Sequence, residues 1–347
     1  MNTENPNPAR VLINAYGEGE TLSPLVHSEE VLGNRAFTRR MSIRSGDVIV
    51  SVPVLSGNSF RGMWRDLAAL HIMQSLKVKQ VSQDLFGLFF GGGSLSKGKV
   101  TKEFREKIYN YFPSLRLFGF SIGNVMYPSK VGVDFGIPVV AETHKYAEAV
   151  YPKLTIAKSD VPANDITEMT MMTLKKDEDK ALLAGFDLSE TPFPLGKSQT
   201  DSQSKKRAAA DDEGEGEEEE VKRGKSQMIY YVEYIVPNTN FVHGFRSLYP
   251  MQPVELGALL KVITLASNRS FGGMGGRGFG KMNWIYQVEV LTNLGETDKS
   301  SKEMKIGNVV SVASELDEYI TNYETYLTEL AEKIKADKDL SPHLVMG

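Results

Sequence analysis

The feature that most constrains the fold of this chain is a glycine-rich segment, Ser270-Phe-Gly-Gly-Met-Gly-Gly-Arg-Gly-Phe-Gly-Lys-Met282. Six of its thirteen residues are glycine, a density typical of backbone that needs positive φ or that another molecule approaches closely. The cations Arg277 and Lys281 stand among the glycines, beside two phenylalanines. This mixture favours contact with a phosphate backbone, with Gly275 and Gly276 as predicted points of approach.

The segment matches two nucleotide-binding motifs by letters alone. Both the dinucleotide fingerprint and the P-loop need a strand before the loop and a helix after it. Here a helical pattern at 254–267 precedes the loop, a strand-like run at 283–291 follows it, and Met282 stands where a P-loop needs Ser or Thr. Both motifs are therefore excluded, whereas a glycine-rich turn without a ligand remains the alternative to an anion site.

The composition excludes several classes of protein. The chain has 347 residues, 41% of them hydrophobic, and no cysteine. That rules out disulfides, cysteine-ligated zinc and a thiol nucleophile. No apolar run reaches the length of a membrane span, and residues 1–8 do not resemble a signal peptide. We expect a cytoplasmic protein with no membrane contact, no metal and no cofactor.

The chain is acidic overall only because of one acidic block, and the remaining residues have a net positive charge. The formal charge is −4, and the block 211–220 alone carries eight negative charges. Because −4 − (−8) = +4, the rest of the chain is mildly basic, which is compatible with a local groove for nucleic acid.

An early helical pattern carries a second candidate anion site. Asn58 or Ser59 is the predicted N-cap, and Arg61 and Arg65 follow one turn apart. Cations in the first turns oppose the helix dipole, and the arrangement is explained if a phosphate docks there. The alternative is two ordinary surface arginines paired with Asp66 or another acid.

Further basic residues lie on predicted strands. Residues 39–44 and 47–54 predict a hairpin with a turn at 45–46, in which Arg40 and Arg44 share a face with Ser42. That face is either a solvated edge or a basic ribbon that follows a phosphate chain. Arg246, in the strand predicted at 241–247, is a further candidate contact.

The middle of the chain has a looser pattern. Within 137–195 a run of alternating threonines and methionines predicts a strand with a methionine-rich face, and Met169, Met171 and Met172 are its candidate contact residues. Methionines usually fill gaps in cores, but on a projecting hairpin they could act as a wedge between stacked bases. Residues 196–226 have a low-complexity, charged composition that predicts a disordered loop.

The order of the other elements predicts the fold. Strands are expected at 10–16, 115–122, 130–134 and 228–236, short helices at 83–90 and 101–112, and a final helix at about 312–335. The order predicts an α+β fold with a ferredoxin-like, RNA-recognition-motif-type palm at 10–136 and 227–295. A large β-rich thumb or finger insertion occupies 137–195, the disordered loop 196–226, and a C-terminal helix 311–338.

At this point the residues resemble a family. The sequence Ser-Gly-Asn-Ser-Phe-Arg-Gly-Met-Trp-Arg (56–65), then Asp-Leu-Phe-Gly (84–87), then a late helix leading into the glycine-rich segment is similar to the RAMP superfamily of CRISPR-associated proteins. Within it, the chain most resembles the repeated backbone subunit of the "Cas seven" type, as found in type IV complexes. The resemblance covers residues 10–135 and 228–291.

The resemblance implies a hand-shaped protein that polymerises in a helical filament along a CRISPR guide RNA. Its implied partners are the guide RNA, a target nucleic acid paired with the guide, further copies of itself and other subunits of the effector complex. Carried over by motif, Ser59, Arg61 and Arg65 would contact the RNA from the early helix. Arg277 and Lys281 would contact it from the glycine-rich segment, and the three methionines would form the wedge of the thumb.

A ribonuclease of the same superfamily is the alternative class. Some relatives cut RNA with an aspartate in the loop after the first strand. Here that loop, taken as 17–30, has glutamates and His27 but no aspartate. The five histidines show no spacing that suggests joint action, so a binding scaffold is favoured.

Overall fold

The computed structural model describes residues 10–93, 100–174, 228–292 and 301–346. None of the helices in these ranges is both long and apolar enough to cross a bilayer. The predicted disordered loop at 196–226 lies outside the described residues.

The fold is a mixed α/β arrangement with mostly antiparallel sheets. The strands are β1 (Leu12–Thr21), β2 (Ser28–Leu32), β3 (Arg35–Thr38), β4 (Arg40–Ser45), β5 (Val48–Pro53), β6 (Val78–Val81), β7 (Phe120–Ile122), β8 (Val125–Tyr127), β9 (Val131–Val133), β10 (Ile137–Pro138), β11 (Thr167–Leu174), β12 (Met228–Ile235), β13 (Asn240–Ser247), β14 (Met282–Leu291), β15 (Lys302–Ile306), β16 (Ser311–Val312) and β17 (Leu344–Met346). The α-helices are α1 (Gly57–Ser75), α2 (Gln83–Phe86), α3 (Lys102–Tyr111), α4 (Pro113–Phe118), α5 (His144–Val150), α6 (Pro253–Leu265) and α7 (Ser314–Ala336).

The largest sheet is centred on β1. Its order is β10-β13-β1-β14-β15-β16, and β9 also pairs with β13. A Cβ at Gly19 would lie 2.3 Å from the Trp284 ring, and one at Gly17 would lie 2.4 Å from the Ile285 carbonyl oxygen. These glycines therefore let β14 pair closely beside β1 while its aromatic side chains lie across the β1 backbone.

Each face of this sheet has its own core, as the alternation of side chains along a strand requires. Ile13 and Ala15 of β1 face α1, α6 and α7, in a cluster that includes the aromatic residues Phe60, Trp64 and Trp284. Tyr16 and Val242 face the opposite way, toward β4, β5 and residues 137–166. The β1 strand is thus buried on both sides, which fixes its register.

Two helices show why the local sequence folds as predicted. Pro253 begins α6 at the first helical position, and a capping box joins Gln252 and Glu255. The buried Glu255 carboxylate also forms ion pairs with Arg116 and with Lys130, the latter at 2.8 Å. The predicted C-terminal helix is confirmed as α7, and its buried stripe is that of the sequence pattern: Leu316, Ile320, Tyr323, Leu327, Leu330 and Ile334.

A second sheet has the order β11-β12-β3-β2. Chain contacts divide the protein into two compact units, one comprising residues 1–170 and 232–347 and the other residues 171–231. Within the smaller unit the described residues are 171–174 and 228–231.

Several local predictions were wrong. The strand predicted at 115–122 is mostly α4, because Pro113 starts a helix and only 120–122 is extended. Leu115, Leu117 and Phe118 are all buried, so their pattern does not separate a strand from a helix. The N-cap of α1 is Ser56, not Asn58 or Ser59.

The first strand and its following loop also differ from prediction. The β1 strand continues to Thr21, so much of the presumed loop at 17–30 is strand. The predicted strands at 228–236 and 241–247 exist but belong to different sheets. Thr21 explains the corner between them, because its hydroxyl donates to the Val236 carbonyl oxygen at 2.9 Å and accepts from the Thr239 N–H at 2.9 Å.

Candidate nucleic-acid interface

The glycine-rich loop is closed at its base and fastened to the segment that follows β1. The N–H of Phe271 donates to the Gly280 carbonyl oxygen at 2.8 Å. Gly280 in turn donates to Pro24, and Gly273 donates to Val26, both at 2.8 Å. The loop is therefore a defined structure held by main-chain hydrogen bonds.

The glycines of the loop fall into two groups. Gly272 and Gly280 have φ of +76° and +84°, and a Cβ on either would lie about 2.1–2.2 Å from a carbonyl oxygen of Val26 or Phe271. These two are required by the fold itself, which agrees with the turn interpretation. A Cβ at Gly276 would meet nothing within 4 Å, so its backbone is open to an approaching molecule.

The two predicted cations of the loop are both exposed. Arg277 ends a 3₁₀ turn at Gly275–Arg277. Lys281 lies at the other end of the loop, where its N–H donates to the Ser23 hydroxyl at 2.9 Å and its carbonyl oxygen accepts from Leu22. The main chain of Lys281 is thus fixed while its side chain extends into solvent.

The arginines of α1 have a structural task that the sequence did not reveal. Arg61 donates to the Phe118 carbonyl oxygen at 3.2 Å, and Arg65 donates to the same oxygen at 2.7 Å and to Gly119 at 3.2 Å. Burial, and next the charge of Arg61, lowers the pKa of Arg65. Some N–H groups of both guanidinium groups are therefore already hydrogen-bonded to carbonyl oxygens at the C-terminal end of α4.

The start of α1 and the glycine-rich loop meet at one groove of about 350 Å³. Ser59 and Asp66 line it from α1, and Arg269, Ser270 and Gly272 line it from the loop. Its apolar lining is Met63, Leu67 and Phe271. Two stretches separated by about two hundred residues, both singled out in the sequence, are thereby brought together.

Arg40 and Arg44 alternate on one face of β4, as predicted, but their surroundings differ. Arg40 donates to Glu233 at 2.7 Å and to the Thr167 hydroxyl at 3.1 Å. Burial alone would raise the pKa of Glu233, but hydrogen bonds from the Thr38 N–H and from Arg40 outweigh it, so the pKa is lowered. Arg44 is exposed near the hairpin turn.

Arg246 lies on β13, away from the groove just described. It forms an ion pair with Asp134 at 2.6 Å, and its side chain remains about half exposed. The pair connects β13 to the residue that follows β9, so Arg246 has a structural partner in the sheet.

The three methionines lie on β11. Met169 is 43% exposed and Met171 is 56% exposed, while Met172, on the alternate face, is half-buried. Met169 and Met171 thus present apolar surface to solvent and are not part of a core.

Two histidines near the groove are held neutral. The Nε2 atom of His27 accepts the Ser56 N–H at 3.0 Å, and burial, then the charge of Arg39, lowers the pKa of His27 to about 4. Burial lowers the pKa of His243 to about 3, and its ring stacks on Phe60 at 4.1 Å. Within the described ranges no group of three or more His, Asp or Glu side chains could hold a metal ion.

The sequence analysis did not predict Arg269 as a residue of the groove, and it considered Asp66 in a different role. Arg269 is exposed and lines the groove, and its position directly before the glycine-rich segment was an available signal. Asp66 was considered only as a partner for arginines. Partial burial raises its pKa, against the opposing charges of Arg269 and Arg65.

Comparisons with known proteins give a structural similarity but no match to a family model or a curated protein. No protein-family model matches the chain, and no curated protein matches it. Among solved structures, the chain is similar to one described as "Type IV-B CRISPR Complex", with 14% sequence identity and a TM-score of 0.47. The match covers 82% of this chain and 94% of that one.

Proposed function

We propose that the chain is a non-catalytic backbone subunit of a type IV-like CRISPR effector complex, which binds guide RNA and polymerises along it. Copies of the subunit hold the guide by its backbone, and the exposed bases pair with the target nucleic acid. The protein contacts phosphates and shape while base pairing reads sequence. Further subunits of the complex complete the assembly.

In this proposal the largest sheet is a ferredoxin-like palm. The elements β1, α1, β9 with β10, β13, α6 and β14 follow one another in the order strand-helix-strand-strand-helix-strand. The sheet order β14-β1-β13-β10 leaves the first strand in the interior beside the last. The exposed methionines of β11 belong to the thumb that separates groups of bases.

The observation that carries the proposal is the groove shared by α1 and the glycine-rich loop. The loop offers open backbone at Gly276, and the exposed cations Arg277, Lys281 and Arg269 lie in or beside it. A polyanion can approach this surface closely because no Cβ stands in its way at Gly276. Such contacts bind a phosphate chain without reading its bases.

The histidine geometry supports a scaffold over a ribonuclease. A general acid or base works best with a pKa near the working pH, whereas His27 and His243 have pKa values of about 4 and 3. In addition, the His27 Nε2 is occupied by the Ser56 N–H. Incubation with labelled guide and target RNA, with and without magnesium, should leave both strands intact.

The test is the affinity of the purified full chain for single-stranded RNA of unrelated sequences, measured over a range of salt. Arg277→Ala and Lys281→Ala should each flatten the slope of log affinity against log salt by about 0.7, which corresponds to about fivefold weaker binding at 0.1 M salt. The loss should be the same for every sequence. Native mass spectrometry should show copy number rising in steps with RNA length.

The matched control is Lys333→Ala, because Lys333 is an exposed cation on α7, and it should leave binding unchanged. Arg61→Ala is a less clean probe, since Arg61 also holds the Phe118 carbonyl. Losses that depend strongly on RNA sequence, or a single copy bound whatever the RNA length, would contradict the proposal.

A further inference from the structure

We propose that the groove between α1 and the glycine-rich loop reads the ribose 2′-hydroxyl of a bound strand and so distinguishes RNA from DNA. This inference rests on the proposed function and adds what that site recognises. The residues that carry it are Ser59 and Asp66 on one wall and Arg269 and Ser270 on the other.

The size and the lining of the groove suit one nucleotide unit. Its volume of about 350 Å³ lies just above the lower limit of about 300 Å³ for small-ligand sites. Met63, Leu67 and Phe271 supply the apolar part of the lining, and Leu67 and Phe271 are buried. A sugar or base can therefore rest on apolar surface while its polar atoms face the two walls.

Arg269 accounts for the phosphate. It is exposed and directly precedes the glycine-rich loop in sequence, and it lines the groove. A guanidinium group donates in a planar fork that matches a phosphate. Arg269 is therefore a phosphate contact in addition to those proposed for Arg277 and Lys281.

Asp66 is the residue that phosphate binding does not explain. An ionised carboxylate only accepts hydrogen bonds and repels phosphate, so in a purely phosphate-binding groove it would weaken affinity. It contributes if the ligand brings a neutral donor. The base amino groups differ from one nucleotide to the next, whereas the 2′-hydroxyl is present on every ribonucleotide and is both donor and acceptor.

The two serines complete this reading. Their hydroxyls can donate and accept hydrogen bonds. Ser59 lines the groove from the first turn of α1, and Ser270 lines it from the start of the glycine-rich loop. A ribose between them can meet a hydroxyl on either side and the Asp66 carboxylate. Deoxyribose offers none of these hydrogen bonds, and a 2′-O-methyl ribose cannot donate.

The experiment compares the full-length protein on one mixed-sequence strand made as RNA, as DNA and as 2′-O-methyl RNA. The wild type should bind RNA most tightly. Asp66→Ala and Ser59→Ala should each weaken RNA binding by about two- to tenfold, the value of one hydrogen bond, without weakening DNA binding. Asp66→Asn keeps an acceptor at the same place and should retain most of the RNA preference.

Arg269→Ala is the contrasting variant, because loss of a phosphate contact should weaken RNA and DNA by the same factor. Thermal unfolding of each variant separates binding from folding. Equal affinity of the wild type for RNA and DNA would overturn the inference, as would an equal loss on both strands for Asp66→Ala, which would make Asp66 a support for Arg269. Absence of RNA binding in the wild type would instead overturn the proposed function itself.

Discussion

At the scale of single residues, the glycine-rich loop combines two different reasons for glycine. Gly272 is required because its φ is positive and a Cβ would collide with the Val26 carbonyl oxygen, while Gly276 faces open space. The same residue type thus serves the fold at one position and leaves an approach open at another.

Substitution with alanine should separate these two reasons. Gly272→Ala should lower the free energy of unfolding by about 1–3 kcal/mol, because the left-handed backbone strains the side chain, and the close contact adds to that cost. Gly276→Ala should leave stability within about 0.5 kcal/mol of the wild type. Urea denaturation of both variants measures the difference, and equal losses would contradict the left-handed backbone and the close approach to Val26 described for Gly272.

The sequence identified several arginines as candidate contact residues but did not predict their hydrogen-bond partners within the protein. Arg61, Arg65 and Arg40 were identified as candidate contacts. Their observed partners are the carbonyls of Phe118 and Gly119 and the carboxylate of Glu233. Those partners lie about 50 to 200 residues away in sequence, so no local pattern indicates them.

At the scale of elements, β11 carries the most specific hypothesis that remains to be tested. If Met169 and Met171 act as a wedge in bound RNA, polar replacement should not destabilise the fold, because both side chains are substantially exposed. The double variant Met169→Gln/Met171→Gln should keep its melting temperature and lose the regular distortion of the RNA, measured by 2-aminopurine fluorescence at successive positions.

The contrasting expectation is that of core methionines, whose loss costs about 2–5 kcal/mol. A large drop in melting temperature would therefore place the two side chains in a core and contradict the wedge. An unchanged melting temperature with an unchanged fluorescence pattern would instead leave β11 without a role in shaping the RNA.

Elements defined by local periodicity were the most predictable. The α7 helix has its apolar residues at helical spacing, and α6 has a proline at the first position with a capping glutamate. Sheet membership was not predictable, since a turn signal at 237–240 says that the chain reverses but not which strand it will join. The hydrogen bonds of Thr21 to Val236 and Thr239 stabilise the corner at which the chain leaves β12 in one sheet and enters β13 in another.

At the scale of the whole molecule, buried histidines make stability depend on pH. His27 and His243 have pKa values below the ordinary 6.5. Below pH 6.5 these two histidines therefore bind protons in the unfolded chain but stay neutral in the folded chain, until the pH approaches their lowered pKa values. Their contribution to stability is full above pH 6.5 and is lost as pH falls toward 4 for His27 and toward 3 for His243.

The free energy of unfolding, measured by urea denaturation, should therefore decrease from pH 7 to pH 5. The variant His243→Phe removes one titrating ring from the aromatic cluster and should show a shallower decrease, whatever its stability at pH 7. The same slope in both proteins would contradict the assignment of His243 as a shielded ring.

The pairing of β1 has a consequence for the order in which the protein can fold. Leu12 is paired with Leu291, and Asn14 is paired with Arg246 and Glu289. At a synthesis rate of about 5–20 residues per second, roughly fifteen seconds to a minute pass on the ribosome before the second neighbour of this central strand exists. Until β13 is made the apolar residues of β1 have no partner strand, and until β14 is made they have only one, so nascent chains are exposed to misassembly until the last third of the protein has emerged.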